Sequence, residues 1–294
     1  MKDVASAPLA IERRLGSTVA DYVQLAKPRL NALVVVTSAA GYYLGAPSSL
    51  DLGLMAQAVA GTALVAGGAA VLNQLYERDT DALMRRTRHR PLPDGRVPPA
   101  DARRFGFGLT IVGLLLLTRA NWLAVALALA TVFIYLAIYT PMKLLTPLAT
   151  LVGAVPGALP AVIGWTASHG SIAIGGAILF AIVFLWQIPH FMAIAWLYRD
   201  DYGKAGFPML SVIDPSGARS GHQAAFFAAA LVPISLAPTT SAVSFAVILA
   251  LGLAQFALAL RFAIARSDAS ARALFVGSIT YLPLLWAVMI FGKR

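Results

Sequence analysis

Apolar residues gather along this chain in long runs, and charge, Gly and Pro concentrate in the short stretches between them. Each run approaches the roughly 20 residues that one helix needs to cross a bilayer. About nine crossings are expected, approximately Leu30 to Leu44, Leu54 to Leu72, Phe105 to Leu117, Trp122 to Tyr139, Pro147 to Trp165, Ile172 to Leu197, Ala224 to Leu236, Val243 to Leu260 and Ala273 to Phe291. The first thirty residues are mixed and charged. They lack the short apolar core and small-residue cleavage site of a signal peptide, so no cleavage is expected there. Residues 1–29 therefore read as an N-terminal segment and residues 30–294 as one transmembrane domain.

Composition agrees with the runs. Of 294 residues, 59% are hydrophobic and 12% charged, against roughly 25% charged in an ordinary soluble chain. So few charges cannot coat a water-facing surface of this size, which excludes a soluble or disordered chain. Cys is absent, which removes disulfides, thiol nucleophiles, Fe–S clusters and thiolate metal sites. The net charge of +10 admits nucleic acid, anionic lipid or a phosphorylated substrate as partner. The positions of the charges choose among these.

Positive loop charges collect on the cytoplasmic side of membrane proteins. Counted on alternate loops, starting from the N-terminal segment, 20 of the 23 Lys and Arg fall on one side, leaving only Arg119, Lys293 and Arg294 on the other. That pattern fits an odd number of crossings with a cytoplasmic N-terminus. Twelve of the 13 acids, all but Asp51, share the same side. Acid and base mixed on one face point to chemistry more than to lipid binding, and no nucleic-acid partner is expected.

The most informative polar stretch is Asn73-Gln74-Leu75-Tyr76-Glu77-Arg78-Asp79-Thr80-Asp81, at the end of the second crossing. On a continuing helix Asn73, Glu77 and Asp81 stack at i, i+4 and i+8 with a drift of about 40 degrees per step, and Asp79 points elsewhere. One amide and two carboxylates so placed suit Mg2+, which takes oxygen ligands from one or two carboxylates plus substrate phosphates. A solvated helix end accounts for the spacing equally well. Directly after it comes Met84-Arg85-Arg86-Thr87-Arg88-His89-Arg90-Pro91-Leu92-Pro93. Metal-holding carboxylates and arginines that clamp phosphate oxygens bidentately are the two halves of a diphosphate site. A topology signal explains Arg in general but not its alternation with acids.

Three weaker features complete the inventory. Asp200 and Asp201, followed by Lys204, form a second polar island suited to a second metal or the far end of a diphosphate. Lys143 stands alone between the fourth and fifth crossings, where a snorkelling anchor is the simpler account. His190, in Trp186-Gln187-Ile188-Pro189-His190-Phe191, lies within the sixth crossing. Ionisable groups at membrane depth are costly and point to function, although a neighbouring helix can also satisfy such a histidine.

These residues resemble the UbiA-type intramembrane prenyltransferases, whose motif is Asn-x-x-x-Asp-x-x-x-Asp. The heme-modifying branch is similar over Asn73-Gln74-x-x-Glu77-Arg78-x-x-Asp81-Ala82-Leu83-Met84-x-Arg86-Thr87-x-x-Arg90-Pro91-Leu92, with Glu77 in the middle acidic position. Further likenesses are Lys27-Pro28-Arg29, Tyr139-Thr140-Pro141-Met142-Lys143, the run from Gly153 to Gly164-Trp165, Pro189-His190-Phe191 and Asp201-Tyr202-x-x-Ala205-Gly206-x-Pro208-Met209-Leu210. The likeness extends from about Asp21 into the seventh crossing and fades toward the C-terminus. The second island departs from the superfamily's Asp-x-x-x-Asp, since Asp200 and Asp201 are adjacent and Lys204 takes the spaced position. After Lys143, where many relatives carry another basic residue, stands Leu144.

The resemblance implies an all-α bundle of nine transmembrane helices with cytoplasmic cap loops, in a bacterial inner membrane, its C-terminus on the opposite side. It implies a Mg2+-dependent transfer of the farnesyl group of farnesyl diphosphate to a vinyl group of heme B. Water completes the hydroxyethylfarnesyl product, heme O, for handover to heme A synthase or terminal oxidase assembly. On this basis Asn73, Glu77, Asp81, Asp200 and Asp201 are catalytic candidates, the first three as metal ligands. Arg86, Arg90, Lys143 and Lys204 bind diphosphate. His190 binds heme, by ligation or by a hydrogen bond. A UbiA-type enzyme with another acceptor, such as 4-hydroxybenzoate or a chlorin, and an anion transporter stand as alternatives. No convincing internal repeat supports transport, and an acid-rich ladder suits anion passage poorly without a metal. A lipid phosphate alcohol transferase is disfavoured by the missing Asp-Gly-x-x-Ala-Arg signature.

Overall fold

The computed structural model describes residues 19–47 and 49–293, and every regular element among them is helical. Lys2, Arg13, Arg14 and Arg294, used in the orientation count, lie outside the described residues, as does most of the expected N-terminal segment. Among the described residues, nine helices of 18 residues or more make up the bulk: α1 Pro28–Gly45, α2 Leu52–Tyr76, α3 Pro99–Leu117, α4 Trp122–Met142, α5 Ala149–His169, α6 Ala173–Leu197, α7 Ala218–Leu236, α8 Ala242–Ala265 and α9 Asp268–Gly292. Six of them, α2, α4, α5, α6, α8 and α9, are long and apolar enough to cross a membrane. The chain is an integral membrane protein. Its outer faces carry apolar side chains such as Leu115, Phe133, Val243 and Ile264, while Asn73, Gln74, Gln187 and Gln255 are buried inside.

Each of the nine apolar runs falls on one of these helices, and most of the helices extend beyond their runs, whereas α5 and α6 start one or two residues late. α3 starts at Pro99 and α7 at Ala218, both six residues before the hydrophobic stretch. Hydropathy marks only the part in hydrocarbon, whereas helical hydrogen bonding continues into the polar layer. The starts are set locally. Pro28 and Pro99 occupy first-turn positions that need no amide donor. Asp51 and Asn121 cap α2 and α4 by accepting from Leu54 N and Ala124 N at 2.9 and 2.8 Å. Ser267 and Ser270 form a reciprocal cap on α9.

Two tight crossings fix the first half of the bundle. Gly61 and Gly68 of α2 face Gly113 and Gly106 of α3, where an added Cβ would lie 2.6–2.8 Å from the opposing carbonyl oxygens. Gly41 of α1 and Gly164 of α5 likewise lie against the backbone of Ala161 and Ser38. Small residues let helices approach where lipid supplies no hydrophobic drive between them. Around α1 and α5 the remaining helices assemble in sequence: α4 and α6 on α5, α7 and α9 on α6, and α8 between α7 and α9. The polar loops after α2 and α6 meet at one end of the bundle, joined by Met84, Ala205 and Phe207.

Candidate active site

The ladder of Asn73, Glu77 and Asp81 survives a break in its helix. α2 ends at Tyr76, Glu77 is its C-cap with φ −88° and ψ 8°, and a short helix, Arg78–Asp81, follows. Both ladder steps nevertheless keep their helical hydrogen bonds, Glu77 N to Asn73 O at 2.9 Å and Asp81 N to Glu77 O at 2.7 Å. The three residues therefore stay in register on one side and are buried. Asp79 is exposed and pairs with its neighbour Arg78. A solvated helix end does not describe this arrangement.

Each of the two buried carboxylates of the ladder meets a cation. Lys143 Nζ donates to Glu77 Oε1 at 2.7 Å, with both side chains more than four-fifths buried. Arg90 Nη1 donates to Asp81 Oδ2 at 2.7 Å. Lys143 is thus no snorkelling anchor. Burial works against its charge, yet Tyr139 and Glu77 hold its ammonium above the usual lysine range. The loop carrying Arg90 is folded back by the Thr87 hydroxyl, which donates to the Asp81 carbonyl at 2.7 Å.

α4 reaches this site through a local widening. Residues Ile134–Tyr139 are π-helical and end one residue before Pro141, which has no amide donor for the preceding turn. Thr140 Oγ1 satisfies the Tyr135 carbonyl at 2.7 Å and accepts from Asn73 Nδ2 at 3.0 Å. The Tyr135 hydroxyl donates to Asn73 Oδ1 at 3.3 Å. Tyr139 lies 4.6 Å below the Lys143 ammonium, held by Gly153, where any Cβ would strike its ring.

The second island splits. Asp201 is buried and turns toward the first loop, accepting from Arg85 Nε at 3.3 Å and from the Arg86 amide at 3.4 Å. Burial opposes its ionisation, but the hydrogen bonds from Arg85 and Arg86 prevail and hold the carboxyl below the usual range. Arg86 places its guanidinium 5.0 Å over the Tyr198 ring. Asp200 and Lys204 are exposed, so the island contributes one buried carboxylate. Among the described residues no three acidic or histidine side chains converge on one point. Glu77 and Asp81 each meet a cation through one carboxylate oxygen. This hard oxygen set suits Mg2+ held by two carboxylates and completed by substrate phosphates.

Lys27, Arg85, Tyr135, Tyr139 and Thr140 join the site without having been singled out for a role in the sequence. Lys27 precedes α1 with a left-handed φ of 50°. Its amine is lowered to about 7, by burial first and then by Arg90 and Lys143, against the opposing pull of Glu77 and Asp81. The motif around Lys27, the arginine cluster that contains Arg85 and the run from Tyr139 to Lys143 are the signals in the sequence that point to these positions, and none points to Tyr135. His190 lies apart, on α6, with its Nδ1 2.7 Å from the Ser278 hydroxyl of α9.

Comparison with known proteins shows the family and the fold. The model of the UbiA prenyltransferase family matches residues 34–287. Protoheme IX farnesyltransferase of Solibacter usitatus is 39% identical over 93% of this chain and 98% of its own. That of an Anaeromyxobacter strain is 44% identical over 93% and 94%. These alignments reach further toward the C-terminus than the motif likeness does. Among solved structures, a UbiA homolog from Archaeoglobus fulgidus bound to GPP and Mg2+ superposes with a TM-score of 0.66 at 18% identity, covering 92% of this chain and 99% of that one. The chain belongs to the UbiA prenyltransferase family.

Proposed function

We propose that this protein transfers the farnesyl group of farnesyl diphosphate to a vinyl group of heme B, giving heme O and diphosphate. The observation that carries the proposal is the buried pairing of Glu77 with Lys143 and of Asp81 with Arg90, in a chain whose relatives named above are protoheme IX farnesyltransferases. The end of the bundle that holds these residues faces the cytoplasm of a bacterial inner membrane, with the C-terminus on the opposite side. Residues 30–294 form the single catalytic domain.

Mg2+, held by Glu77 and Asp81 with the Asn73 amide beside them, would supply positive charge to the diphosphate. Lys143 and Arg90 donate to phosphate oxygens from the adjacent segments, with Arg86 and Lys27 at the margin. Lys204, exposed in the substrate-free protein, reaches the outer phosphate only if its loop closes over it. Asp201 acts by fixing Arg85 and the Arg86 backbone, and Asp200 has no buried role. The carbon–oxygen bond of farnesyl diphosphate breaks, and its electron pair leaves with diphosphate. Cations placed where that charge develops lower the barrier. The vinyl electron pair of heme forms the new carbon–carbon bond, water adds at the resulting cation, and one proton is released. Tyr135 and Tyr139, stacked 5.4 Å apart, present aromatic faces beside the departing group, suited to an allylic cation. His190 binds the acceptor. It lies seven residues before the end of α6, about 10 Å at 1.5 Å per residue. Heme O then passes to heme A synthase or to terminal oxidase assembly.

Purified protein incubated with farnesyl diphosphate, heme B and Mg2+ tests the proposal. Heme O and released diphosphate are expected. Unchanged heme with intact farnesyl diphosphate overturns it, and prenylation of 4-hydroxybenzoate in place of heme gives the site to a different acceptor.

A further inference from the structure

The site above leaves open what holds His190, the one histidine within the long apolar helices that lies at membrane depth beside another helix's polar side chain. Its imidazole is stacked on two aromatic rings. Trp186, one turn earlier on α6, lies at 5.2 Å with planes 19° apart. Phe275 of α9 lies at 5.1 Å and 25°. Trp186 is itself pinned, its Nε1 donating to the Ser278 carbonyl at 2.7 Å. The Ser278 side chain is fully buried, and the imidazole keeps partial exposure.

The geometry around Ser278 bears on the tautomer of His190. Its hydroxyl lies 2.7 Å from the Phe275 carbonyl, one turn back on α9, and 2.7 Å from His190 Nδ1. A carbonyl oxygen only accepts, and a serine hydroxyl owns one proton. With that proton donated to Phe275 O, the hydroxyl oxygen meets His190 as an acceptor. His190 must bring the hydrogen on Nδ1, which leaves Nε2 bare. A neutral imidazole with Nδ1–H satisfied and Nε2 bare is the form that binds a metal, and the partner of the other ring nitrogen sets that form.

We propose that Ser278 is a positioning residue that locks His190 in the Nδ1–H tautomer, with Nε2 directed as ligand to the iron of the porphyrin acceptor. The inference rests on the heme assignment of the preceding section and adds to it a residue, an atom and a tautomer. The stacked Trp186 and Phe275 restrict rotation of the ring, so the hydrogen bond and the two aromatic faces together fix the direction of the Nε2 lone pair.

The chain has four histidines, so side-chain 15N spectra of the heme-free, histidine-labelled full-length protein in nanodiscs resolve the tautomer directly. His190→Gln identifies the signal. The expected result is a bare Nε2 and a protonated Nδ1 for His190, and the reverse pattern overturns the proposal without any change at Ser278. Heme B titration followed by absorption spectroscopy gives the second readout. Ser278→Ala is expected to mix the tautomers and weaken heme binding about 10- to 100-fold, with farnesyl diphosphate binding unchanged. Ser278→Thr, which keeps the hydroxyl, is expected to restore both. Wild-type tautomer and heme affinity in Ser278→Ala overturn the positioning role alone. Wild-type heme binding in His190→Gln instead overturns the ligand assignment of His190.

Discussion

Replacing Asp81 by Asn removes one negative charge and almost no volume, so its consequences separate folding from chemistry. The amide oxygen can still accept from Arg90 Nη1, now 2.7 Å from Asp81 Oδ2. The Thr87 hydroxyl bonds the main-chain carbonyl of residue 81 and is untouched. The fold loses only the difference between a charge-assisted and a neutral hydrogen bond, about 1 kcal/mol. Turnover loses far more, because the substituted group helps to hold positive charge against a departing diphosphate. One such electrostatic contribution is worth about 10²- to 10³-fold in rate, about 2.7–4 kcal/mol. The rate of heme O formation, measured across a Mg2+ titration, should fall by at least that factor, with half-saturation moved to higher Mg2+. Thermal unfolding in detergent should stay within a few degrees of wild type. Asp79→Asn is the control, since Asp79 is exposed and pairs with Arg78, and it should keep full turnover. A rate within about threefold of wild type for Asp81→Asn, at unchanged Mg2+ dependence, would refute the reasoning.

Lys143→Met should lower kcat/KM for farnesyl diphosphate about 10- to 150-fold, the value of about 1.5–3 kcal/mol for a hydrogen bond to a charged group. Combining it with Glu77→Gln should recover thermal stability, by relieving the stranded carboxylate, but not turnover; recovery of turnover would remove Lys143 from the diphosphate site. His190→Ala should lose heme binding in an absorbance titration while farnesyl diphosphate binding persists, and an unchanged titration returns His190 to a packing role. Removal of divalent metal with a chelator should stop turnover and its return should restore it, whereas full activity in chelator contradicts the metal assignment. Lys27, lowered to about 7 in the free protein, regains its proton beside a bound diphosphate. Affinity for an unreactive diphosphate analogue should therefore weaken as pH rises above 7, by up to tenfold per unit. Lys27→Arg, charged throughout that range, should flatten the profile, and a profile unaltered by that change removes Lys27 from the site.

Much of this was legible before any coordinates. The all-helical class is legible from the apolar runs, each of which falls on a long helix among the described residues, because hydrocarbon leaves a chain few alternatives to the helix. Their ends were misplaced by up to six residues in α3 and α7, where the overrunning turns are polar. The i, i+4, i+8 ladder was legible since helical periodicity is local. The identity of its partners was not, because Lys143 lies 66 residues from Glu77 and Asp201 lies 116 residues from Arg85. Adjacent Asp200 and Asp201 looked like a pair, but neighbouring side chains on a helix point about 100 degrees apart, and only one can face inward. Tyr135 was hidden for another reason. Its approach to Asn73 depends on the widened turns before Pro141, which spacing rules for a regular helix do not produce.

The pairing pattern explains how a site so rich in charge is compatible with the fold. A buried carboxylate left alone is expensive, and breaking a buried pair costs about 3–5 kcal/mol. Glu77, Asp81 and Asp201 each escape that penalty through a cation: Lys143 at the end of α4 for Glu77, and Arg90 and Arg85 of the loop after α2 for Asp81 and Asp201. The groups that the proposed function assigns to phosphate and metal are therefore paired with one another. Diphosphate can take Lys143 and Arg90 as partners only if Glu77 and Asp81 receive another positive charge in exchange. On this reasoning anion and cation bind as one unit, and neither is expected to bind tightly by itself, because each alone strands a buried charge of the opposite sign. The second loop, whose Asp201 holds Arg85 and not Arg90, keeps its bridge through the exchange and supplies a fixed frame against which Lys143 and Arg90 can move.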